Sequence, residues 1–361
     1  MPTYHIDPDI TKAETLPASF YRDTQVFEAL KEKIFYKTWQ WLGHENQVNN
    51  PKDVQPLLLL DGFLTEPLLI TRGLDGQLHC LSNVCTHRGN LVVEEKGNHK
   101  KLICAYHGRR FDLCGAFEHM PEFKEAKSFP RKCDDLPQFS LRQLGPLLFA
   151  GLDPAFDFQI VLDAMQERIG FLPLEQFKLD ESRSKDYHIN AHWALYCDNY
   201  LEGFHIPFVH EDLNAVLDYG NYETVLHDYM NLQIGYADGN EHIFDLPKDH
   251  IDHGKKIAAY YYWVFPNMMF NFYPWGLSVN VLQPKSPDQT KVSFISYVYD
   301  TSKLDQGAGS GLDKVELEDE AVVEGVQKGV RSKFYKAGRF SPKREQGVHH
   351  FHRLLAEFLN R

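Results

Sequence analysis

The sequence has no apolar run that approaches the ~20 residues a helix needs to cross a bilayer. Its first residues, Met1-Pro2-Thr3-Tyr4-His5, offer neither the basic region nor the apolar core of a secretory signal. An excess of positive charge is also missing, because the formal net charge is −12. These absences argue against a protein that spans a membrane, is secreted, or binds nucleic acid or anionic membrane surfaces.

Two further features are scarce or missing. No GxGxxG motif follows a strand pattern, so we do not expect the chain itself to bind a nicotinamide or a flavin. Cysteine is scarce, with six in 361 residues. Four of the six, Cys80, Cys114, Cys133 and Cys197, are best interpreted as free thiols. Free thiols fit a reducing cytoplasm better than a disulfide framework does, so we expect a cytoplasmic location.

The other two cysteines belong to two short segments, Cys85-Thr86-His87 and Cys104-Ala105-Tyr106-His107. Together these segments offer two thiolates and two imidazoles from neighbouring loops. A Rieske [2Fe–2S] centre uses this ligand set, with two cysteines on one iron and two histidines on the other. The alternative is a structural zinc site made from the same four residues. Zinc sites prefer Cys-x2–4-Cys and His-x3–5-His spacings, so the pattern favours the iron–sulfur centre.

The length of the chain predicts two domains. An apolar stripe predicts a helix over residues 24–39, with Asp23 or Thr24 as its N-cap. From about residue 45 to 155 short apolar runs alternate with turn residues, which is typical of a small antiparallel β domain. The predicted strands there are Leu57–Leu60, Leu68–Thr71, Leu78–Leu81 and Leu147–Leu152. Both cysteine–histidine segments fall in loops between such strands.

Beyond about residue 156 helical and strand patterns alternate to the end of the chain. The predicted strands are Tyr260–Phe265, Gly276–Leu282 and Lys291–Tyr299, and the predicted helices are Glu316–Lys328 and Arg344–Asn360. A glycine-rich segment, residues 306–311, is predicted to be a flexible surface loop.

A second group of possible metal ligands lies around His205 and His210. Two histidines and a carboxylate with open coordination positions are typical of a non-haem Fe(II) oxygenase. On an ideal helix these histidines would lie ~140° apart, so we expect Pro207 to break or kink the helix and let the rings converge. Glu202, three residues before His205, would share a face with it. Taken alone, the pattern fits equally well two ordinary histidines beside a proline; an electron-transfer cluster upstream favours a second metal, because the electron needs an acceptor.

The combination resembles the catalytic α subunit of the Rieske non-haem iron oxygenases over essentially the whole chain. The resemblance rests on Cys85-x-His87-Arg-Gly, on Cys104-x-x-His107-Gly, on Asn199-Tyr200-x-Glu202-x-x-His205-x4-His210, and on Glu318-Asp319-x-x-Val-Val-Glu-x-Val-Gln-x-Gly329. It implies an α+β fold, with a small antiparallel β Rieske domain and a catalytic domain whose large antiparallel sheet is covered by helices in a helix-grip-like arrangement. The implied domains are an N-terminal helical segment (1–44) packing on the catalytic domain, the Rieske domain (45–155) and the catalytic domain (156–361).

The resemblance also implies the cofactors and the roles of the site residues. A [2Fe–2S] cluster would be held by Cys85, His87, Cys104 and His107. A mononuclear Fe(II) would be held by His205, His210 and Asp319. Electrons from NAD(P)H would arrive indirectly through a separate reductase or ferredoxin, and O2 and a small molecule would be the substrates.

Glu202 resembles the carboxylate that joins a cluster histidine of one subunit, here His107, to an iron ligand of the next, here His205, in a head-to-tail homotrimer. A purely local role as a partner of His205 is the alternative. Two positions depart from the family pattern: Ala105 replaces the usual Pro, and Arg109 replaces the usual Trp. Arg109 would shift the cluster potential or serve docking of the electron donor.

Within the family, the segments around Cys197–Glu202 and Phe265–Trp275 most resemble choline monooxygenase and other oxygenases of quaternary ammonium compounds. Residues 260–275 are also dense in aromatics, whose faces attract quaternary ammonium ions. Because alternate strand residues face one side, only half of them can line a cavity. We therefore expect hydroxylation or N-demethylation of a choline-, betaine- or carnitine-like compound. The alternative is an aromatic-ring hydroxylating oxygenase acting on an aromatic acid or a heteroaromatic compound.

Two other classes of protein remain at this stage. The chain would be a pure electron carrier if only the cluster were real, although the long segment beyond the cluster domain argues against this. It would be a degenerate oxygenase with a structural or binding role if the second metal site were not functional. The iron content separates these classes, because a carrier binds about two irons per chain and an oxygenase about three.

Overall fold

The computed structural model describes residues 2–216, 218–237, 239 and 242–361 of the chain. These residues divide into two units, each with its own core. One unit is Tyr36–Phe156, and the other combines the N-terminal residues up to Phe35 with Asp157–Arg361. Apart from two 3-10 turns, the regular elements of the first are strands, whereas the second combines a large sheet with helices, so the α+β prediction is confirmed.

The unit Tyr36–Phe156 is an antiparallel β structure. Its strands are β1 (Trp39–His44), β2 (Asp53–Leu59), β3 (Glu66–Arg72), β4 (Leu78–Ser82), β5 (Gly97–Asn98), β6 (Leu102–Ile103), β7 (Arg110–Phe111), β8 (Phe117–His119), β9 (Gln138–Leu144) and β10 (Leu147–Gly151). Seven strands form one sheet in the order β1-β10-β9-β4-β3-β2-β5, and β6-β7-β8 form a second. The first strand, β1, lies in this unit, although the sequence analysis placed residues 39–44 in the N-terminal segment.

Both cysteine–histidine segments lie in loops of this unit, as predicted. The first follows β4, and the second connects β6 to β7. Cys85 and Cys104 contribute to the same apolar core as Leu69, Leu81 and Phe111. The packed strands therefore fix the cysteine end of each loop.

The other unit contains all the longer helices and a second seven-stranded sheet. Its helices are α1 (Thr24–Leu30), α2 (Gln159–Ile169), α3 (Trp193–Tyr200), α4 (Ile206–Val209), α5 (Glu211–Val216), α6 (Leu312–Gly329) and α7 (Gln346–Asn360). Its strands are β11 (Lys178–Ile189), β12 (Glu223–His227), β13 (Met230–Tyr236), β14 (Ile257–Val264), β15 (Met268–Tyr273), β16 (Gly276–Ser286) and β17 (Gln289–Val298).

These strands form an antiparallel sheet in the order β11-β17-β16-β15-β14-β13-β12. The alternation along β14 separates its tyrosines as predicted. Tyr261 lines a cavity on one face, whereas Tyr260 on the other face donates a hydrogen bond to Asp252 and stacks on Phe244. Helices α3 and α6 contact each other beside the cavity face. The sheet is thus a rigid wall that orients alternate side chains towards one site.

Two predictions about local structure are wrong. The helix predicted over 24–39 ends earlier: α1 stops at Leu30, a π-helical turn covers Lys31–Phe35, and Trp39 already pairs with Gly151 in the sheet of the other unit. Asp23 is its N-cap, with its side chain accepting from the backbone N–H groups of Gln25 and Val26. The apolar periodicity of the sequence continues beyond the end of the helix, because the pairing of Trp39 in a strand, a tertiary effect, overrides it.

The glycine-rich segment is not a surface loop. Gly307–Gly309 form a 3-10 turn in which Ala308 and Gly309 are buried. A Cβ on Gly309 would lie 2.2 Å from Nε1 of Trp275. The glycine permits close packing here, whereas composition alone indicated flexibility. Throughout the described part of the chain, every helix is too short or too polar to cross a membrane.

Candidate functional site

His205 and His210 flank a single short helix. His205 is the N-cap of α4, and His210 is its C-cap with φ −114° and ψ 81°. Pro207 lies in the first turn of α4, where proline needs no N–H partner, so the prediction that it breaks or kinks a helix is wrong. The imidazoles converge because both residues lie at helix ends, and their ring centroids are 5.1 Å apart.

Asp319 completes a compact group with the two histidines. Its Oδ1 lies 3.0 Å from Nε2 of His210 and 3.5 Å from Nε2 of His205. One ligand atom from each of the three side chains lies within 4.8 Å of the others. Asp319 comes from α6, more than a hundred residues after His210, so only the tertiary fold brings the three together. Two imidazoles and one carboxylate in this arrangement could hold a metal ion by one face of its coordination sphere.

A second carboxylate holds the outer nitrogen of each imidazole. Nδ1 of His205 lies 2.7 Å from Oε1 of Glu202, and Nδ1 of His210 lies 2.7 Å from Oε2 of Glu318. The other Glu202 oxygen accepts from the backbone N–H groups of Phe204 and His205. These partners leave both Nε2 atoms facing the common centre.

Sequence reasoning assigned no role to Glu318. The only signal was its position beside Asp319, in a helix that carries several acids. Burial lowers the pKa of His210, but its hydrogen bonds and the charges of Asp319 and Glu318 outweigh burial and raise the pKa overall. The concentration of negative charge around two imidazoles is what a divalent cation would offset.

A cavity of ≈ 110 Å³ adjoins the three residues. Six aromatic side chains line it, namely Tyr196, Tyr200, Tyr222, Tyr261, Tyr273 and Phe294. The predicted aromatic segment 260–275 thus contributes two of the six, and the others come from α3, β17 and the segment before β12. A polar network forms part of the wall, where the Tyr200 hydroxyl donates to Oδ1 of Asn271 at 2.7 Å. Glu316, which the sequence analysis did not single out, also lines this cavity.

The two cysteine–histidine loops of the other unit have matching geometry. In each, the backbone N–H of a glycine donates to the carbonyl of the cysteine: Gly89 to Cys85, and Gly108 to Cys104, both at 3.0 Å. Each glycine has a positive φ, 74° and 71° respectively. Only glycine adopts this conformation at little cost, which explains the Gly in both segments.

The four side chains fit a binuclear cluster better than a single ion. Both cysteines are buried, whereas His87 and His107 are half-buried with ring centroids 4.8 Å apart. The four ligands of one zinc ion would lie within ~4 Å of one another. Among the described residues, ligand atoms converge closely enough for a single ion in the histidine–aspartate group and not in these four. Two thiols inside and two imidazoles outside match the two ends of a Rieske cluster.

Arg109 is 2% exposed, so the prediction that it serves docking of a donor is wrong. Its guanidinium donates to the backbone oxygen and to Oδ1 of Asp134, both at 2.9 Å. It also lies 5.0 Å from the ring centroid of Phe117, and 5.6 Å from those of Phe111 and Phe129. The Arg109 guanidinium, surrounded by aromatic rings, thus lies where the family usually has a tryptophan side chain, and Asp134 is its counter-charge.

Two family models match this chain. The model described as the ring hydroxylating alpha subunit (catalytic domain) matches residues 177–361, which is half of the sequence. The model of the Rieske [2Fe-2S] domain matches residues 38–130, which include both cysteine–histidine segments.

Known proteins match over nearly the whole length. Choline monooxygenase from Arabidopsis thaliana is 28% identical, over 97% of this chain and 84% of its own. The carnitine monooxygenase oxygenase subunit from Escherichia coli is 27% identical, over 96% and 94%. A solved quaternary ammonium Rieske monooxygenase superposes with a TM-score of 0.77 at 24% identity, covering 99% of this chain and all of the other. Naphthalene 1,2-dioxygenase from Rhodococcus sp. superposes at 0.71 and 18% identity, over 96% and 94%.

Proposed function

Because the chain belongs to the ring-hydroxylating alpha subunits of the Rieske non-haem iron oxygenases, we propose that it oxidises a small quaternary ammonium compound with O2. Members of the family carry a Rieske [2Fe–2S] cluster and a mononuclear iron and take electrons from a separate protein. The chain is therefore an oxidoreductase. Its substrate, its donor and the roles of individual residues are the subject of the proposal.

We assign the cluster to Cys85, His87, Cys104 and His107. The mononuclear iron we assign to His205, His210 and Asp319, whose ligand atoms converge without rearrangement. When bound, the cluster supplies single electrons, and the iron supplies the reductive activation of O2.

The chain's own residues orient these ligands and shape the site. Glu202 and Glu318 hold the Nδ1 atoms of the two histidines, which leaves each Nε2 free for the metal. The sheet residues Tyr261 and Tyr273 form part of one wall of the cavity. A substrate in the cavity lies beside Asp319 and both histidines, so one of its C–H bonds is within reach of the reaction centre.

The observation that carries the substrate class is the aromatic lining next to the metal site. A methylated ammonium ion has no N–H donors and is held by aromatic faces, by up to ~2 kcal/mol or more where water is excluded. The relatives that act on choline and on carnitine support the same class. Hydroxylation at an N-methyl or choline carbon would yield an aldehyde. An aromatic substrate, the alternative from the sequence, would use the same walls without needing a cation.

We further propose that Glu202 joins His107 of one subunit to His205 of the next in a homotrimer. Glu202 is only partly buried, and exposed aromatic side chains lie beside each end of this connection. Phe208, on α4, is 81% exposed. Tyr106, whose ring centroid lies 3.8 Å from that of His107, is 57% exposed. Exposed aromatics of this kind are enriched where proteins associate. Such a head-to-tail interface closes into a ring.

The substrate class is tested by O2 uptake. The iron-replete protein, with a generic reductase, is offered choline, betaines and carnitine beside benzoates and phenols. We expect the ammonium compounds to stimulate uptake and to release stoichiometric aldehyde. Stimulation by aromatic acids alone would instead establish the aromatic alternative.

The metal assignments are tested by iron analysis. We expect about three irons per chain, and about two in His205→Ala, with loss of turnover. A variant that keeps its full iron content and its activity would show that His205 is not a ligand. Two irons per chain in the unaltered protein would identify an electron carrier, and full iron without turnover on any substrate would identify a degenerate oxygenase.

A further inference from the structure

Glu316 is a buried acid that the metal site does not use. It lies on α6, is 3% exposed, and lines the cavity. Its Oε2 accepts a hydrogen bond from the hydroxyl of Tyr196 at 2.6 Å. Its Oε1 is buried without a hydrogen-bond partner among the described residues. A buried carboxyl oxygen without a partner is costly, so its presence at a cavity wall calls for an explanation by ligand chemistry.

The charges that line the cavity have one sign. Three carboxyl groups line it, those of Glu202, Glu316 and Asp319, and no lysine or arginine is among the described lining residues. Glu202 binds His205, and Asp319 lies between the two histidines. Glu316 is therefore the one lining carboxyl group left for the substrate.

The buried polar atoms of the cavity lining that lack a hydrogen-bond partner are also all acceptors. Two lining residues have a buried side-chain atom without a partner among the described residues, and both atoms are acceptors: Oε1 of Glu316 and Oε1 of Gln233. Burial raises the pKa of Glu316 to about 8, against the opposing effect of the Tyr196 hydrogen bond. Burial thus disfavours the ionised form of Glu316, which a cationic substrate beside it would favour.

We propose that this cavity selects a quaternary ammonium compound with a net positive charge and no carboxylate of its own, and that Glu316 is the counter-charge of the ammonium group. The inference rests on the proposed function and narrows it. A trimethylammonium group has no hydrogen to donate, so it pairs with a carboxylate by charge alone while aromatic faces surround its methyl groups. An alcohol on the same molecule finds an acceptor in Gln233. A choline-like amino alcohol therefore fits the wall.

A zwitterion fits the same wall poorly. The carboxylate of a betaine or of carnitine would enter a cavity that already holds Glu316 and offers no cationic side chain among the described lining residues. Like charges within a site of low polarity disfavour binding. The proposal thus predicts that this protein distinguishes choline from carnitine, the substrates named for two related enzymes. A purely aromatic cage would not distinguish them.

The first experiment uses the unaltered holoenzyme. Binding of choline, carnitine and glycine betaine is measured by calorimetry, together with 3,3-dimethylbutan-1-ol, the neutral carbon isostere of choline. We expect choline to bind about 10- to 100-fold more tightly than any of the other three compounds. Equal affinity for choline and carnitine would overturn the inference and leave the proposed function standing. If none of the ammonium compounds binds or stimulates O2 uptake, the proposed function itself fails.

The second experiment uses Glu316→Gln, which keeps an acceptor for Tyr196. We expect its Kd and KM for choline to rise about 10- to 100-fold, with little change for the neutral isostere. Glu320→Gln on the same helix, outside the residues lining the cavity, is the control for net charge. Unfolding transitions and iron content show whether each variant is intact. A Glu316→Gln protein that is folded and loaded, and that loses affinity equally for choline and the isostere, would show that Glu316 only shapes the cavity.

Discussion

At the scale of single residues, the carboxylates of Glu202 and Glu318 hold the outer nitrogens of the two histidines to which we assign the mononuclear iron. Glu318 is the less obvious of the two, because it precedes Asp319 in the same helix and reaches the outer nitrogen of His210. A partner of this kind fixes the tautomer and the orientation of the imidazole and makes it a stronger ligand.

We expect Glu318→Ala to lower the affinity of the mononuclear site for iron by about 10- to 100-fold. Iron retention is measured during titration with a chelator, and the cluster absorbance provides an internal standard that should not change. Glu320→Ala, two residues further along the same helix, is the matched control. If both variants release iron at the same chelator concentration, Glu318 has no role in holding His210.

Arg109, by contrast, is a buried charge whose role is structural and not catalytic. Its pairing with Asp134 indicates that Arg109→Met leaves this buried carboxylate without its closest cationic partner. We expect the free energy of unfolding to fall by about 3 kcal/mol. Denaturant unfolding measures it, with Arg110→Met at the neighbouring exposed position as control. The double variant with Asp134→Asn should regain part of the loss; no recovery would mean that packing rather than charge is lost.

At the scale of secondary-structure elements, two glycines, Gly309 and Gly325, lie in opposite environments. Gly309 lies in a buried turn against Tyr273 and Trp275, and its neighbour Ala308 lines the cavity. Gly325 lies on the exposed side of α6, where an added methyl group would meet nothing within 4 Å. The effect of an added methyl group on stability should therefore depend on packing at Gly309 and on backbone entropy at Gly325.

We expect Gly309→Ala to lower the free energy of unfolding by about 1–3 kcal/mol, because the turn must move away from Trp275. The same change at Gly325 should raise it by about 0.5–1 kcal/mol, because glycine is a poor helix residue. Denaturant titrations compare the two, and the KM for substrate should change in the Gly309 variant alone. Equal effects at both positions would contradict the close packing described for the turn.

At the scale of the whole molecule, the proposed homotrimer and the proposed Glu202 connection lead to one joint prediction. Under the proposed assignment, Cys104→Ser removes a cluster ligand and His205→Ala removes an iron ligand, so each variant alone should be inactive. Trimers assembled from equal amounts of the two should recover about a quarter of the wild-type turnover, because half of the intact iron sites would then neighbour an intact cluster.

The same mixing experiment has a sharp control. Adding Glu202→Gln to the chain with the intact iron site should abolish the recovery, since that chain supplies the connection to His205. Adding it to the other chain should have no effect. No activity in any mixture would instead indicate that electrons pass within a single chain. Activity in either pure variant would show that the altered residue is not an essential ligand.

The sequence by itself determined the features that are encoded over short spacings. Cys85-x-His87 and Cys104-x-x-His107 are local, and each needs only a loop and a glycine with positive φ. The alternation of Tyr260, Tyr261 and Tyr262 likewise follows from strand geometry alone. The α+β fold, the family and its cofactors could be predicted through the family resemblance that these segments carry. Of the seventeen strands in the described residues, seven were predicted, with ends that differ by up to four residues.

The tertiary structure decided what depends on contacts between distant segments. The run Glu316-Leu317-Glu318-Asp319-Glu320 offers four acids that look alike in sequence. The packing of α6 against α3 directs Glu316 to the cavity, Glu318 to the outer side of His210, and Asp319 between the two histidines. The burial of Arg109 and of Gly309 has the same origin. Burial and charge pairing depend on what packs against a residue, and that neighbour lies far away along the chain.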